Sequence, residues 1–74
     1  MFGSSAKSCR VVGIDPGLTR CGFAVIDAQG SSVNARSLGV FTTSPQMELP
    51  NRLAALQRDI HELLDEFAPH AVAV

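Results

Sequence analysis

Asp15 is the residue of this chain best placed to do chemistry. It closes the apolar run Val11-Val12-Gly13-Ile14 and is followed at once by Pro16-Gly17. A strand of that kind holds its terminal acid rigidly at the rim of a sheet. The Pro-Gly turn then reverses the chain without crowding the carboxylate. Rigid carboxylates suit hard divalent cations, which take oxygen ligands. The residues alone leave a second reading open, because Asp before Pro is also a common turn starter. Thr19 and Arg20 fall in the same turn. They could donate to a phosphate oxygen, or be ordinary exposed turn residues. Metal-assisted chemistry on phosphate needs at least one further inward acid.

The remaining acids and histidines offer less. Asp27 is expected in a hairpin turn at the far end of the sheet from Asp15. Asp59, Glu62, Asp65 and Glu66 fall on the solvent face or the end of a helix, where Arg58 is spaced to pair with Glu62. His61 lies on that helix's edge and His70 just before a strand, neither with a partner at catalytic spacing. No Gly-x-Gly-x-x-Gly, phosphate-binding P-loop or Ser–His–Asp arrangement is present.

The elements that must position Asp15 follow from the apolar pattern. Val11–Ile14 is a short continuous apolar run, the signature of a central strand covered on both faces. Gly22–Ile26 is a second strand and Asp27–Gly30 a second turn. If Ile14 lies near Gly22, Cys9 falls opposite Asp27 and Cys21 opposite Asp15. Residues 32–43 read as a third strand. Val33 and Ala35 have one parity, Leu38 and Val40 the other, so a bulge near Arg36-Ser37 is expected to reconcile them.

Leu49, Leu53, Leu56, Ile60, Leu63 and Phe67 then recur at helical spacing, the pattern of a helix packed on a sheet. Pro50 fits its first turn, and Pro69 stops it and pushes Ala68 toward extended geometry. His70–Val74 begins a fourth strand. Short turns make the first three strands antiparallel. A helical crossover makes the fourth parallel to one of them, most simply the first. The expectation is an α/β fold with a mixed sheet, incomplete in this chain. One helix covers one face only, so further helices are expected after residue 74.

Seventy-four residues make one small domain, marginal without partners. An apolar content of 46% with 18% charged residues excludes a disordered chain. A net charge of -1 argues against strong nucleic-acid binding by this stretch alone, since that depends on clustered cations. It does not exclude a nuclease, whose site is itself acidic. Residues 1–9 read as a flexible polar lead-in without the apolar core of a secretory signal. No run approaches the roughly 18 apolar residues of a membrane span, which fits a cytoplasmic protein. In the register above the two cysteines stand about 20 Å apart. That is beyond the roughly 7 Å a disulfide allows, so both are expected as free thiols.

The stretch Gly13–Ile26, with its Asp-Pro-Gly-x-x-x-x-Gly start, resembles the amino-terminal motif of the RuvC family of bacterial Holliday junction resolvases. Leu49-Pro50-Asn51-Arg52-Leu53 is similar to the start of that family's first helix, and His70–Val74 to the strand leading to its second catalytic acid. The resemblance covers residues 11–74 in the family's order. It implies an RNase H-like fold, with residues 10–74 as the amino-terminal part of the nuclease domain. It further implies a homodimer that cuts symmetrically placed strands of a four-way DNA junction, and RuvA and RuvB as branch-migration partners. Four acidic or histidine positions hold two Mg²⁺ ions in that family. The first of these maps onto Asp15, as catalytic residue and metal ligand. A Glu is expected just beyond Val74, and the 74-residue piece is expected to be inactive by itself.

Other classes share parts of the pattern. Sugar kinases and actin-like ATPases open with a strand, an Asp and a Gly-containing turn that cradles phosphate. Their turn, however, carries Gly-Thr or Gly-Gly-Thr after the acid, whereas Pro16 follows Asp15 here and Leu18 separates Gly17 from Thr19. The YqgF-type nucleases, which act on RNA, share the Ile-Asp-Pro-Gly start. A non-catalytic truncated product is the remaining alternative.

Overall fold

The computed structural model describes residues 8–74. Its elements are β1 (Ser8–Asp15), β2 (Arg20–Gln29), β3 (Ser32–Thr42), α1 (Leu49–Phe67) and β4 (Ala71–Ala73). They form one sheet in the order β3-β2-β1-β4. β1 pairs antiparallel with β2, β2 antiparallel with β3, and β4 parallel with β1. This is the mixed sheet expected from the sequence, with β1 at its interior. β1 starts at Ser8, inside the stretch expected to be lead-in, and the rest of that stretch (1–7) lies outside the described residues.

The register of β1 on β2 differs by one residue from the expected one. Ile14 faces Phe23, Asp15 faces Gly22 and Cys9 faces Ala28. Over the last four rungs of β1 the observed register sorts side chains by size. Val12 meets Val25 and Ile14 meets Phe23 on one face, while Gly13 meets Ala24 and Asp15 meets Gly22 on the other. Large apolar pairs stabilise a sheet best when they share a rung, and the alternative would have put Ile14 against a glycine. Both cysteines are free; Cys21 is buried on the large-residue face, and Cys9 alternates to the other.

The bulge falls where the parity switch places it. Val25 pairs with Ser37 and Ile26 with Ala35, leaving Arg36 as the extra residue of β3. Val33, Ala35, Leu38 and Val40 thereby share one face. The β2–β3 hairpin turns at Gly30-Ser31, not over Asp27–Gly30: Gln29 pairs with Ser32, and Gly30 has φ +60°, the left-handed geometry that favours glycine. Asp27 is therefore a strand residue.

α1 lies on the large-residue face. Leu63 is buried against Val12 and Val25, with Ile14, Phe23, Phe41, Leu64 and Phe67 packed around them. Each fully buried valine contributes about 1.5–3 kcal/mol. Phe23 and Phe41 stack with ring centroids 4.7 Å apart, and Gly39 leaves the space that the Phe23 ring fills. The leucine stripe is packed only in its second half, since Leu49 and Leu53 remain about half exposed. Pro50 sits in the first turn, as expected. Ala68 is left-handed (φ 44°, ψ 60°), not extended. That geometry still avoids the right-handed helical region that a following proline disfavours. It also keeps a closing hydrogen bond from the Ala68 N–H to the Leu64 carbonyl (2.8 Å) and turns the chain toward β4.

The opposite face of the sheet carries Gly13, Ala24, Leu38, Val40 and Ala73, with Leu38 69% exposed. β1 was expected to be covered on both faces; among the described residues one face is covered.

Candidate active site

Asp15 is the last residue of β1 and is exposed. Alternation along the strand puts its side chain on the open face, opposite α1. Across the rung stands Gly22, where a Cβ would lie 3.8 Å from that of Asp15, so the space beside the acid is left clear. Among the described residues no hydrogen bond or ion pair engages this carboxylate. Arg20 opens β2 two residues before Gly22, hence on the same open face, and is also exposed.

The turn that joins β1 to β2 is tightly built. Gly17 is required there because a Cβ would run into the Arg20 carbonyl oxygen. The turn is also tied to its surroundings. The buried Thr43, just past β3, donates its backbone N–H to the Thr19 carbonyl (3.1 Å) and its hydroxyl to the Leu18 carbonyl (2.6 Å). Arg52, in the first turns of α1, donates from Nε to Thr43 Oγ1 (3.2 Å) and from Nη2 to Thr19 Oγ1 (3.0 Å). The Thr19 hydroxyl thus accepts one bond and keeps its own proton to donate elsewhere.

Sequence reasoning took Arg52 only as part of a motif and passed over Thr43. A signal for Arg52 was present. It lies three residues after Leu49 and four before Leu56, so a cation stands inside the apolar stripe and needs a polar partner. Nothing in the sequence marks Thr43.

The other candidates separate from this site. Asp27 lies on the helix-side face, where Arg10 Nε and Nη2 grip its two carboxylate oxygens at 2.7 and 3.0 Å. Arg10 Nη1 also donates to the Phe67 carbonyl (3.0 Å), and the guanidinium lies 5.7 Å from the centroid of the Phe67 ring. The hydrogen bonds from Arg10 hold the Asp27 carboxyl below the usual carboxylate range, and those to Asp27 raise Arg10. His70 accepts the Arg10 N–H at Nδ1 (2.9 Å) and donates its own N–H to the Arg10 carbonyl (2.8 Å), starting the β1–β4 pairing. Arg58 and Glu62 do not pair, and Arg10–Asp27 is the ion pair among the described residues. His61, Glu62, Asp65 and Glu66 are exposed on α1 and Asp59 is half-buried.

Among the described residues no cluster of three or more His, Cys, Asp or Glu could hold a metal ion. Asp15 fits a divalent cation as one ligand, being at a strand end, exposed and, among the described residues, unengaged. Mg²⁺ takes one or two protein carboxylates and fills its remaining positions with water and phosphate oxygens.

A mixed sheet with three antiparallel strands, a helical crossover and a parallel fourth strand beside the first is the front of an RNase H-like fold. Within that class, residues 11–74 match the family model described as "Crossover junction endodeoxyribonuclease RuvC", and the chain belongs to that family. It is 47% identical over 69 residues to the protein of that name from Corynebacterium glutamicum, covering 92% of this chain and 31% of the relative. It is 47% identical over 66 residues to that from Thermobifida fusca, covering 88% of this chain and 36% of the relative. A solved structure described as "T. thermophilus RuvC in complex with Holliday junction substrate" superposes with a TM-score of 0.80 at 34% identity, over 86% of this chain and 39% of that one. The chain spans about a third of the length of these relatives. No helix is long and apolar enough to cross a membrane among the described residues.

Proposed function

We propose that the protein carrying these residues is a crossover junction endodeoxyribonuclease, hydrolysing phosphodiesters in four-way junction DNA, and that Asp15 is its first metal ligand. The observation that carries this reading is the unengaged carboxylate at the end of β1, in a chain of the RuvC family. The Thermus relative in complex with a Holliday junction supports the substrate class.

Divalent cations of the Mg²⁺ type, two per site, would activate the attacking water and stabilise the leaving 3′ oxygen. This chain's residues do the rest. Asp15, at the sheet rim, would be a cation ligand, with Gly22 leaving the space beside it clear. Thr19 offers a hydroxyl proton, and Arg20 a guanidinium, to non-bridging phosphate oxygens. The described residues supply one carboxylate of the site, so its other ligands come from outside them. The domain running from residue 10, the homodimer, the RuvA and RuvB partners and a cytoplasmic setting belong to the same proposal and rest on family resemblance.

The test is cleavage of a synthetic four-way junction by the full-length protein, with Mg²⁺ and with a chelator. Strand cutting that needs the metal supports the reading. Saturable ATP hydrolysis without junction cutting would replace it with the kinase-like alternative, and preference for structured RNA with the YqgF-type one.

A further inference from the structure

We propose that Arg52 is a positioning residue for the Asp15 site, acting through Thr43 and Thr19 on the β1–β2 turn. This rests on the nuclease reading above and adds to it how the first ligand is held.

The first half of α1 is poorly anchored by burial. Leu49 is 53% and Leu53 52% exposed, and the helix meets the core through Leu63, Leu64 and Phe67 near its other end. Arg52 occupies a stripe position where leucine would add apolar contact. Its two side-chain bonds instead go to Thr43 and to Thr19, four residues after Asp15. Arginine suits the task because its donors are fixed in one plane, so two bonds fix both a distance and an orientation.

Thr43 is the hub. Its hydroxyl donates to the Leu18 carbonyl and accepts from Arg52, so both the proton and one lone pair are assigned. It is 7% exposed, where water does not readily replace those partners. With the bond from its N–H to the Thr19 carbonyl, two elements converge on the turn at Leu18 and Thr19: the segment just past β3 and the start of α1. The turn spans only Pro16–Thr19, so fixing Leu18 and Thr19 fixes the exit direction of the chain from Asp15. The same bonds orient the Thr19 hydroxyl and leave its proton free for a ligand. Displacing a reacting group by about 1 Å can cost on the order of 100-fold in rate.

The experiment compares R52A, R52K, T43V and T43S in the full-length protein. R58A is the charge control, removing a cation from the exposed side of α1. Junction cleavage is read as kcat and KM, and amide hydrogen exchange is read at residues 17–20. R52A and T43V are expected to lower kcat about 10- to 100-fold with KM for the junction unchanged, and to speed exchange in the turn. R52K and T43S recover part of both losses, because lysine can keep one of the arginine's two bonds and serine keeps the hydroxyl. R58A matches the wild type. A raised KM with kcat intact would overturn the proposal and make Arg52 a DNA contact. Wild-type kcat with a lowered melting temperature would overturn it in favour of a purely structural bond. Absence of junction cutting by the wild type would fail the nuclease reading instead. The exchange data would then still decide whether Arg52 holds the turn.

Discussion

The two ends of the sheet treat a strand carboxylate in opposite ways. At one end Asp27 is gripped through both oxygens by Arg10, which also reaches the last carbonyl of α1 and lies over Phe67. At the other end Asp15 faces a glycine and carries no partner among the described residues. The turn beside Asp15 nevertheless has a hydrogen-bond network of its own. Arg52 and Thr43 spend their hydrogen bonds on the backbone and hydroxyl of the adjacent turn and leave the acid alone. A carboxylate that serves the fold is paired with a cation in its own chain. One at a strand end that no described residue engages has its charge available to a ligand. The faces repeat the contrast, since Asp27 is on the side that α1 covers and Asp15 on the side left open.

If that contrast is right, the two acids fail differently when altered. The largest effect belongs to D15N in the full-length protein. Junction cleavage falls to background while junction binding and the melting temperature hold, because the substitution removes a metal ligand and no packing contact. D27N does the reverse, cutting at the wild-type rate with a lower melting temperature. Equal loss of cutting in both would break the comparison. Next is L63A, at the joint between helix and sheet. It should cost about 2–5 kcal/mol in a denaturant titration, as truncation of buried leucines does. G17A tests the open end's backbone. Its methyl has no room against the Arg20 carbonyl, and about 1–3 kcal/mol of destabilisation is expected. A68G tests the closed end's, where relief of a left-handed alanine should add about 1 kcal/mol.

The smallest effect is in the acid limb of stability. Arg10 lowers the folded-state Asp27 value below its unfolded one. Its contribution is therefore complete above the unfolded value of about 4 and is lost as pH falls through the lower folded value. Melting temperatures of the wild type should drop more steeply below about pH 4 than those of D27N. Parallel curves would mean that the ion pair does not support the fold.

Much of the fold was legible because its signals are periodic. The stripe from Leu49 to Phe67 marks α1 at both ends, and the parity switch between Ala35 and Leu38 locates the bulge. The length of the helical crossover makes β4 parallel to β1. The register of β1 was not legible from hydrophobicity, because Val11-Val12 has no alternation to read. The opposite charges of Arg10 and Asp27 could have set it, since only the observed register brings them onto one rung. Ala68 escaped because the rule for residues before proline excludes one helical hand and says little about the other. Asp15 stood out because a polar residue ends an apolar run. The network that holds its turn did not, because hydrogen bonds among Leu18, Thr19, Thr43 and Arg52 join residues far apart in the chain and follow no period.

The most direct test of the account is a Mn²⁺ titration of the full-length protein, followed by paramagnetic broadening of backbone amide signals. Mn²⁺ accepts the oxygen ligands that suit Mg²⁺ and reports its own position. Broadening should centre on Asp15, Gly17 and Gly22, spare Asp27, and vanish in D15N. Broadening that spares the Asp15 end, or that persists unchanged in D15N, would contradict the claim that this bare carboxylate is a metal ligand.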